Sequence, residues 1–159
     1  MARLLLISKA NVDIYLPVEE VFYFIADGNK TYVVLRNCDR MKLPFQLGEI
    51  EGMIKDQLGE DHCESGFYRG LTRCYIINLR YVFIINCTER DGVADMEHQY
   101  LLMSDHSHSV KLGLAVDRLK ELMRAKKEYE GLVKIKKRGD AGEEVKEVIF
   151  NEEVKEIKL

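Results

Sequence analysis

The chain has 159 residues, 47% of them hydrophobic and 32% charged, with a net charge of −3. That length suits one domain with an appendage and a genuine core, and the composition is that of a folded soluble protein rather than a disordered one. No apolar run approaches the roughly 20 residues of a membrane helix. Leu4-Leu5-Leu6-Ile7 is too short for a secretory leader, so the expected location is cytoplasmic.

Strand-type runs dominate the chain order. Residues 12–16 are apolar apart from Asp13, and Pro17 stops the run. Val21-Phe22-Tyr23-Phe24-Ile25, the turn signal Asp27-Gly28-Asn29 and Tyr32-Val33-Val34-Leu35 predict a hairpin. Residues 45–58 carry apolar side chains at 47, 50, 54 and 58, the single stripe of a surface helix, with Gly59 as its stop. Short strands are expected at 67–69, 75–77 and 81–85. Two more, at 100–103 and 110–112, flank a polar loop over 104–109. A second helix is expected over 115–123, with cations near its C-terminal end, where they suit the helix dipole.

The last part of the chain differs in charge. Beyond Arg138 there are three lysines and seven acids, which leaves 21 basic and 20 acidic residues in 1–138. The body to Arg138 is thus near neutral and the tail acidic, and the expected organisation is a domain over 1–124 followed by a charged extension over 125–159. Residues 132–138 alternate apolar and basic, and 143–150 alternate apolar and charged. A terminal hairpin would gain about 0.2–1 kcal/mol per opposed charge pair. A charged amphipathic helix over 143–158 is the alternative. Either form is a candidate oligomerisation element.

Motifs of catalysis are missing from the sequence. It has no nucleophile elbow, Walker loop or dinucleotide-binding glycine pattern. Its adjacent acid pairs point apart and make no general acid/base couple. Cys38, Cys63, Cys74 and Cys87 have no metal or redox spacing. They are expected to be free thiols, with Cys74 and Cys87 in the core. Asp105-His106-Ser107-His108 has metal-ligand chemistry but no third ligand at a recognised spacing. No enzyme activity, cofactor, metal or small-molecule substrate is expected.

The informative stretch is FYRGLTRCYIIN, residues 67–78. Its apolar half reads as a buried strand, and its two arginines must meet solvent or an anion. The stretch follows Asp27-Gly28-Asn29-Lys30-Thr31-Tyr32 and the helix beginning Leu47-Gly48-Glu49-Ile50, and it precedes Ala115-Val116-Asp117-Arg118-Leu119. In this order and spacing, residues 10–124 resemble the LytTR family of bacterial DNA-binding domains.

The resemblance implies a mainly β (α+β) fold of small antiparallel sheets, with one helix between strands and one near the end of the domain. It implies a response-regulator-like transcription regulator without a receiver domain, reading double-stranded DNA in the major groove with loops between strands. Arg73 takes the family's basic position. Thr72 stands where the family often has histidine. Lys30 and Thr31 map to a second contact loop. Arg69, Arg80 and Arg118 complete the expected contact set, with the basic run 124–138 adding phosphate contacts.

Departures are visible too. Arg69 and Arg73 are one residue further apart than the pattern asks, which a bulge at Gly70 would absorb. Asp117 sits where the family has a cation. Asn78 matches a family position, but it also suits closing the turn after the strand. Glu64 or Asp61 could pair with the two arginines instead of DNA. The near-neutral charge leaves a protein-interaction module of the same fold as the alternative function. A homodimer is expected, because two half-sites give specificity that one small domain lacks.

Overall fold

The computed structural model describes residues 3–70, 73–88 and 97–131, and the backbone of 133–136 and 145–148. A hairpin of β1 (Leu4–Lys9) and β2 (Val12–Pro17) leads through a 3₁₀ turn, Val18–Glu20, into the main sheet. That sheet contains β3 (Val21–Asp27), β4 (Lys30–Leu35), β5 (Arg40–Leu43), β6 (Phe67–Tyr68) and β7 (Tyr75–Asn78) in the order β5-β4-β3-β7-β6, all antiparallel. Helices α1 (Leu47–Leu58) and α2 (His62–Ser65) fill the connection from β5 to β6. A second sheet, β10-β9-β8, follows, with β8 at Val82–Cys87, β9 at Gln99–Ser104 and β10 at Ser109–Gly113. Helix α3 (Val116–Tyr129) closes the compact part.

Period-2 alternation makes the main sheet two-faced. Phe24, opposite both Val33 and Ile76, faces the side covered by the β1–β2 hairpin and α1. Tyr23, opposite Val34 and Ile77, faces the second sheet and α3. Each face therefore has its own apolar cluster. Leu5, Ile7, Phe45 and Ile50 belong to the first, and Leu79, Leu101, Leu119 and Leu122 to the second.

This is the mainly β arrangement of small antiparallel sheets expected from the sequence, with a helix between strands and another near the end. Several boundaries differ. The expected domain limit at 124–125 falls inside α3, where Ala125 is 2% exposed and packs in the second cluster. The compact unit thus extends through Tyr129. Cys74 is exposed rather than in the core, because β7 begins only at Tyr75. Cys87 is half-buried against the second cluster. The terminal hairpin exists: β11 (Val133–Lys136) pairs antiparallel with β12 (Val145–Val148), with Lys134 opposite Glu147 in register. A helix over 143–158 is excluded at those four positions. The rest of the tail, 137–144 and 149–159, lies outside the described residues. Among the described residues no helix is long and apolar enough to cross a membrane.

Candidate nucleic-acid interface

Four chain segments meet at one end of the main sheet. The β1–β2 turn brings Lys9, whose ammonium pairs with Glu49 at 3.1 Å. Glu49 also accepts the Gln46 backbone N–H at the start of α1. That bond, with Lys9 beside it, holds the carboxyl below its ordinary pKa. Arg69 leaves β6 and passes close to Gly48 in the first turn of α1. The Ala26 N–H donates to the Cys74 carbonyl at 2.8 Å, which fixes the start of β7 beside the β3–β4 turn.

That turn is built for its place. Gly28 takes φ +63°, the left-handed conformation glycine adopts without penalty. Lys30 then opens β4 opposite Asp27 and is exposed. Arg73 precedes Cys74 on the neighbouring strand, so Lys30 and Arg73 stand two strands apart, about 10 Å. Neither side chain has an ion-pair partner among the described residues.

Arg73 itself takes φ +61° and is exposed. For an L-residue with a Cβ that conformation costs roughly 1–2 kcal/mol. It is held from outside: Arg69 Nη2 donates to the Arg73 carbonyl at 3.3 Å, and Arg69 Nη1 donates to Glu51 Oε1 at 2.7 Å. Arg69 is thus committed within the protein, and its acid is Glu51 on α1 rather than Glu64 or Asp61. Gly70 is not a bulge in a ladder, since β6 ends at Tyr68. The Tyr68 phenol lies over Gly70, in the space a Cβ would need.

The remaining expected contacts divide. Thr31 does not reach the surface. It lies on the covered face of β4, is 0% exposed, and its hydroxyl has no hydrogen-bond partner among the described residues. The mapping to a contact loop fails there because alternation turns position 31 inward. Thr72 lies outside the described residues. Arg80 is exposed, but it sits in the 3₁₀ turn past the far end of β7, with its guanidinium over Tyr81. It is more than about 15 Å from Arg73 along the strand. Arg118, on the first turn of α3, pairs with Glu121 at 3.6 Å, and its charge is felt at the Tyr68 phenol. Asp117 is exposed in that same first turn, where an acid suits the helix dipole.

Of the basic run 124–138, residues 132–138 have no described side chains. Lys126 is engaged, donating to the Leu79 carbonyl at 2.7 Å and to Glu130. Asn78 is a buried clamp. Its amide donates to the Val18 and Val21 carbonyls, and its oxygen accepts the Arg80 N–H. The closing role suggested by the sequence is the one the side chain performs, and at 3% exposure it has no route to a ligand.

Asp105 in the β9–β10 loop accepts the backbone N–H groups of His108 and Ser107 and the Arg36 guanidinium. These bonds, the backbone ones foremost, hold its carboxyl far below the usual range. His106 stacks edge-on against Phe83. Among the described residues no three His, Cys, Asp or Glu side chains converge as metal ligands. A cleft of about 200 Å³ beside Arg69 is lined by Glu51, His62, Phe67 and Ile76. It is smaller than the usual small-ligand pocket of about 300 Å³ or more.

Two cations that the sequence reading missed are Arg40 and Lys42 on β5. Both lie over the Tyr32 ring, at 4.7 and 5.7 Å from its centroid. The alternation Arg40-Met41-Lys42-Leu43 was the available signal, with only Leu43 buried.

No protein-family model and no curated protein matches the chain. Among solved structures, a LytTr DNA-binding domain from Bacillus cereus is similar over 77% of this chain and 94% of that one. The identity is 20% and the TM-score 0.47. A likeness this remote assigns no function.

Proposed function

We propose that the protein is a sequence-specific, non-enzymatic DNA-binding regulator of LytTR type that presents the loops at the end of its main sheet to the major groove. The observation that carries this reading is the state of Arg73. It is exposed, without an acid partner among the described residues, and kept in a left-handed backbone conformation by Arg69. A strained residue held in place by its surroundings is characteristic of functional positions. Arginine is the side chain whose fork matches guanine or phosphate with two parallel bonds. Lys30, about 10 Å away, supplies a second cation, and Thr72 precedes Arg73 in the sequence. The order of motifs in the sequence points the same way.

Within this reading the roles differ. Arg73, with Thr72 and Lys30, contacts DNA. Arg69 positions Arg73 through its carbonyl. Arg118 lies at the β6 edge of the same end. Arg80, at the opposite end of β7, would contact only the flanking backbone. Thr31 is left out, because its side chain is buried.

The experiment is selection of duplexes from a random pool at near-physiological salt, followed by titration of the enriched sequence across salt concentrations. An enriched motif whose affinity falls steeply with salt supports the reading, and the slope counts the phosphates neutralised. Absence of enrichment sinks it. A second copy on a second half-site belongs to the same reading. Deletion of 132–159, which spares α3, should then lower the solution mass and the duplex affinity together.

A protein-interaction module of the same fold is the second reading. Asp117 favours it, since an exposed acid where the family has a cation repels phosphate. Duplex binding abolished by Arg73→Ala in a folded protein decides against it.

A further inference from the structure

The face of the main sheet that carries Tyr23 is only partly covered. Its lower half, with Val34, Ile77 and Leu79, packs beneath the second sheet and α3. Its upper half is open only in part, with Ile25 and Tyr75 packed at the edge of the same cluster. There Ile25 stands opposite Tyr32 on one side and Tyr75 on the other, and all three are half-buried. Strand β5 adds Arg40 and Lys42 at the edge, both exposed. Lys30 shares this face by alternation with Tyr32. Arg73 stands at its rim, at the start of β7.

Charge and chemistry on this surface are one-sided. None of Lys30, Arg40, Lys42 and Arg73 has an ion-pair partner among the described residues, whereas Arg36, Arg69, Arg118 and Lys126 are each paired. Asp27 is the acid of the same face, opposite Lys30. The Arg40 charge is felt at both Tyr23 and Tyr75. Lysine on an edge strand is a common guard against edge pairing. Here Lys30 on β4 and Arg73, just before β7, add cations from inside the sheet, and Arg40 and Lys42 on β5 both lie over the Tyr32 ring.

We propose that this partly open half of the sheet binds single-stranded nucleic acid, with Tyr32 and Tyr75 as stacking surfaces and Lys30, Arg40, Lys42 and Arg73 along the phosphates. Interleaved rings and cations on a shallow surface suit a strand whose bases are unstacked and whose backbone is anionic. Tyr32 and Tyr75 are separated by one strand, about 10 Å, so two rings serve different bases of one segment. A duplex keeps its bases stacked inside and has no use for the rings. An acidic peptide would use the cations and leave the rings idle. The proposal rests on the nucleic-acid reading above through the shared Lys30 and Arg73, and it adds Arg40, Lys42, Tyr32 and Tyr75, which that reading does not use.

The test is fluorescence anisotropy of the full chain with a labelled oligo-dT of about ten nucleotides, run beside a labelled mixed-sequence duplex. The oligo-dT should bind. The double variant Arg40→Ala, Lys42→Ala should weaken that binding about tenfold and leave duplex affinity within about twofold. Tyr32→Leu, which keeps apolar bulk and removes the ring, should weaken oligo-dT binding about fivefold or more. A wild-type protein that binds duplex but not oligo-dT overturns this proposal and spares the duplex reading. Binding of oligo-dT without duplex binding does the reverse. An unaffected Arg40/Lys42 double variant, or displacement by poly-glutamate as effective as by oligo-dT at equal charge, overturns the proposal.

Discussion

Arg69 holds Arg73 by its backbone and not by its charge. One guanidinium nitrogen of Arg69 reaches the Arg73 carbonyl at 3.3 Å while the other rests on Glu51 at 2.7 Å. The bonds run from a helix, through one arginine, to the peptide of another, and leave the second guanidinium without an acid partner among the described residues. Replacing the two arginines should therefore have different consequences.

At Arg73, glycine and alanine separate fold from function. Both substitutions should weaken duplex binding about tenfold or more, the worth of one bidentate base contact. Glycine relieves the left-handed strain and alanine does not. Arg73→Gly should thus be more stable than Arg73→Ala by about 1 kcal/mol in urea denaturation. Equal stability of the two variants would show that the loop is not held at positive φ in solution.

Arg69→Lys keeps the charge but cannot span Glu51 and the Arg73 carbonyl with a planar fork. Affinity for random duplex and its salt slope should hardly change, while preference for the selected sequence falls several-fold. A parallel loss on both duplexes would make Arg69 a direct phosphate contact.

Thr31→Val replaces a buried hydroxyl, without a partner among the described residues, with a methyl of similar size. Stability should rise by about 1 kcal/mol, because the unsatisfied oxygen is gone. Duplex affinity should be unchanged. A drop in affinity without a drop in stability would return Thr31 to the contact surface.

Asn78→Ala leaves the Val18 and Val21 carbonyls and the Arg80 N–H without their partner. The expected cost is about 2–3 kcal/mol, read as a lower urea midpoint, with the salt slope of DNA binding intact. Weakened DNA binding at full stability would point instead to a direct contact.

Asp105 gives a pH signature. Its folded carboxyl titrates below its unfolded value, so its stabilising contribution is complete above about pH 4 and is lost as the pH falls toward the depressed folded value. Asp105→Asn should lower the melting temperature at pH 7. The gap from the wild type should narrow steadily as the pH drops below about 4. A gap independent of pH would mean that shape, and not charge, sets the role of this residue.

Much of the scaffold was legible from residue patterns. The β3–β4 hairpin announced itself through two apolar runs around Asp27-Gly28-Asn29, and α1 through the stripe at 47, 50 and 54. Strand β5 was hidden, because an edge strand buries little and only Leu43 carries its apolar signal. Helix α2 has four residues, too few to show a period. Cys74 was misplaced because its neighbours Tyr75, Ile76 and Ile77 are apolar, whereas the strand starts one residue later. The candidate site was legible only as a list of cations. Glu51 and Arg69 are 18 residues apart, and nothing local announces that they meet. Nor does arginine have any propensity that would reveal positive φ at position 73. Thr31 looked like a loop residue until the register turned it inward.

Strand β3 belongs to both halves of the molecule at once. Phe24 looks one way, into the cluster under α1, and Phe22 and Tyr23 belong to the cluster under α3. It is a party wall. A small chain with two separate interiors could have been two loosely tethered lobes, each free to tilt. With β3 common to both, neither interior can open without exposing the back of the other. The loop that carries Arg73 inherits that stiffness, because the Cys74 carbonyl beside it is bonded to Ala26 at the end of the same strand.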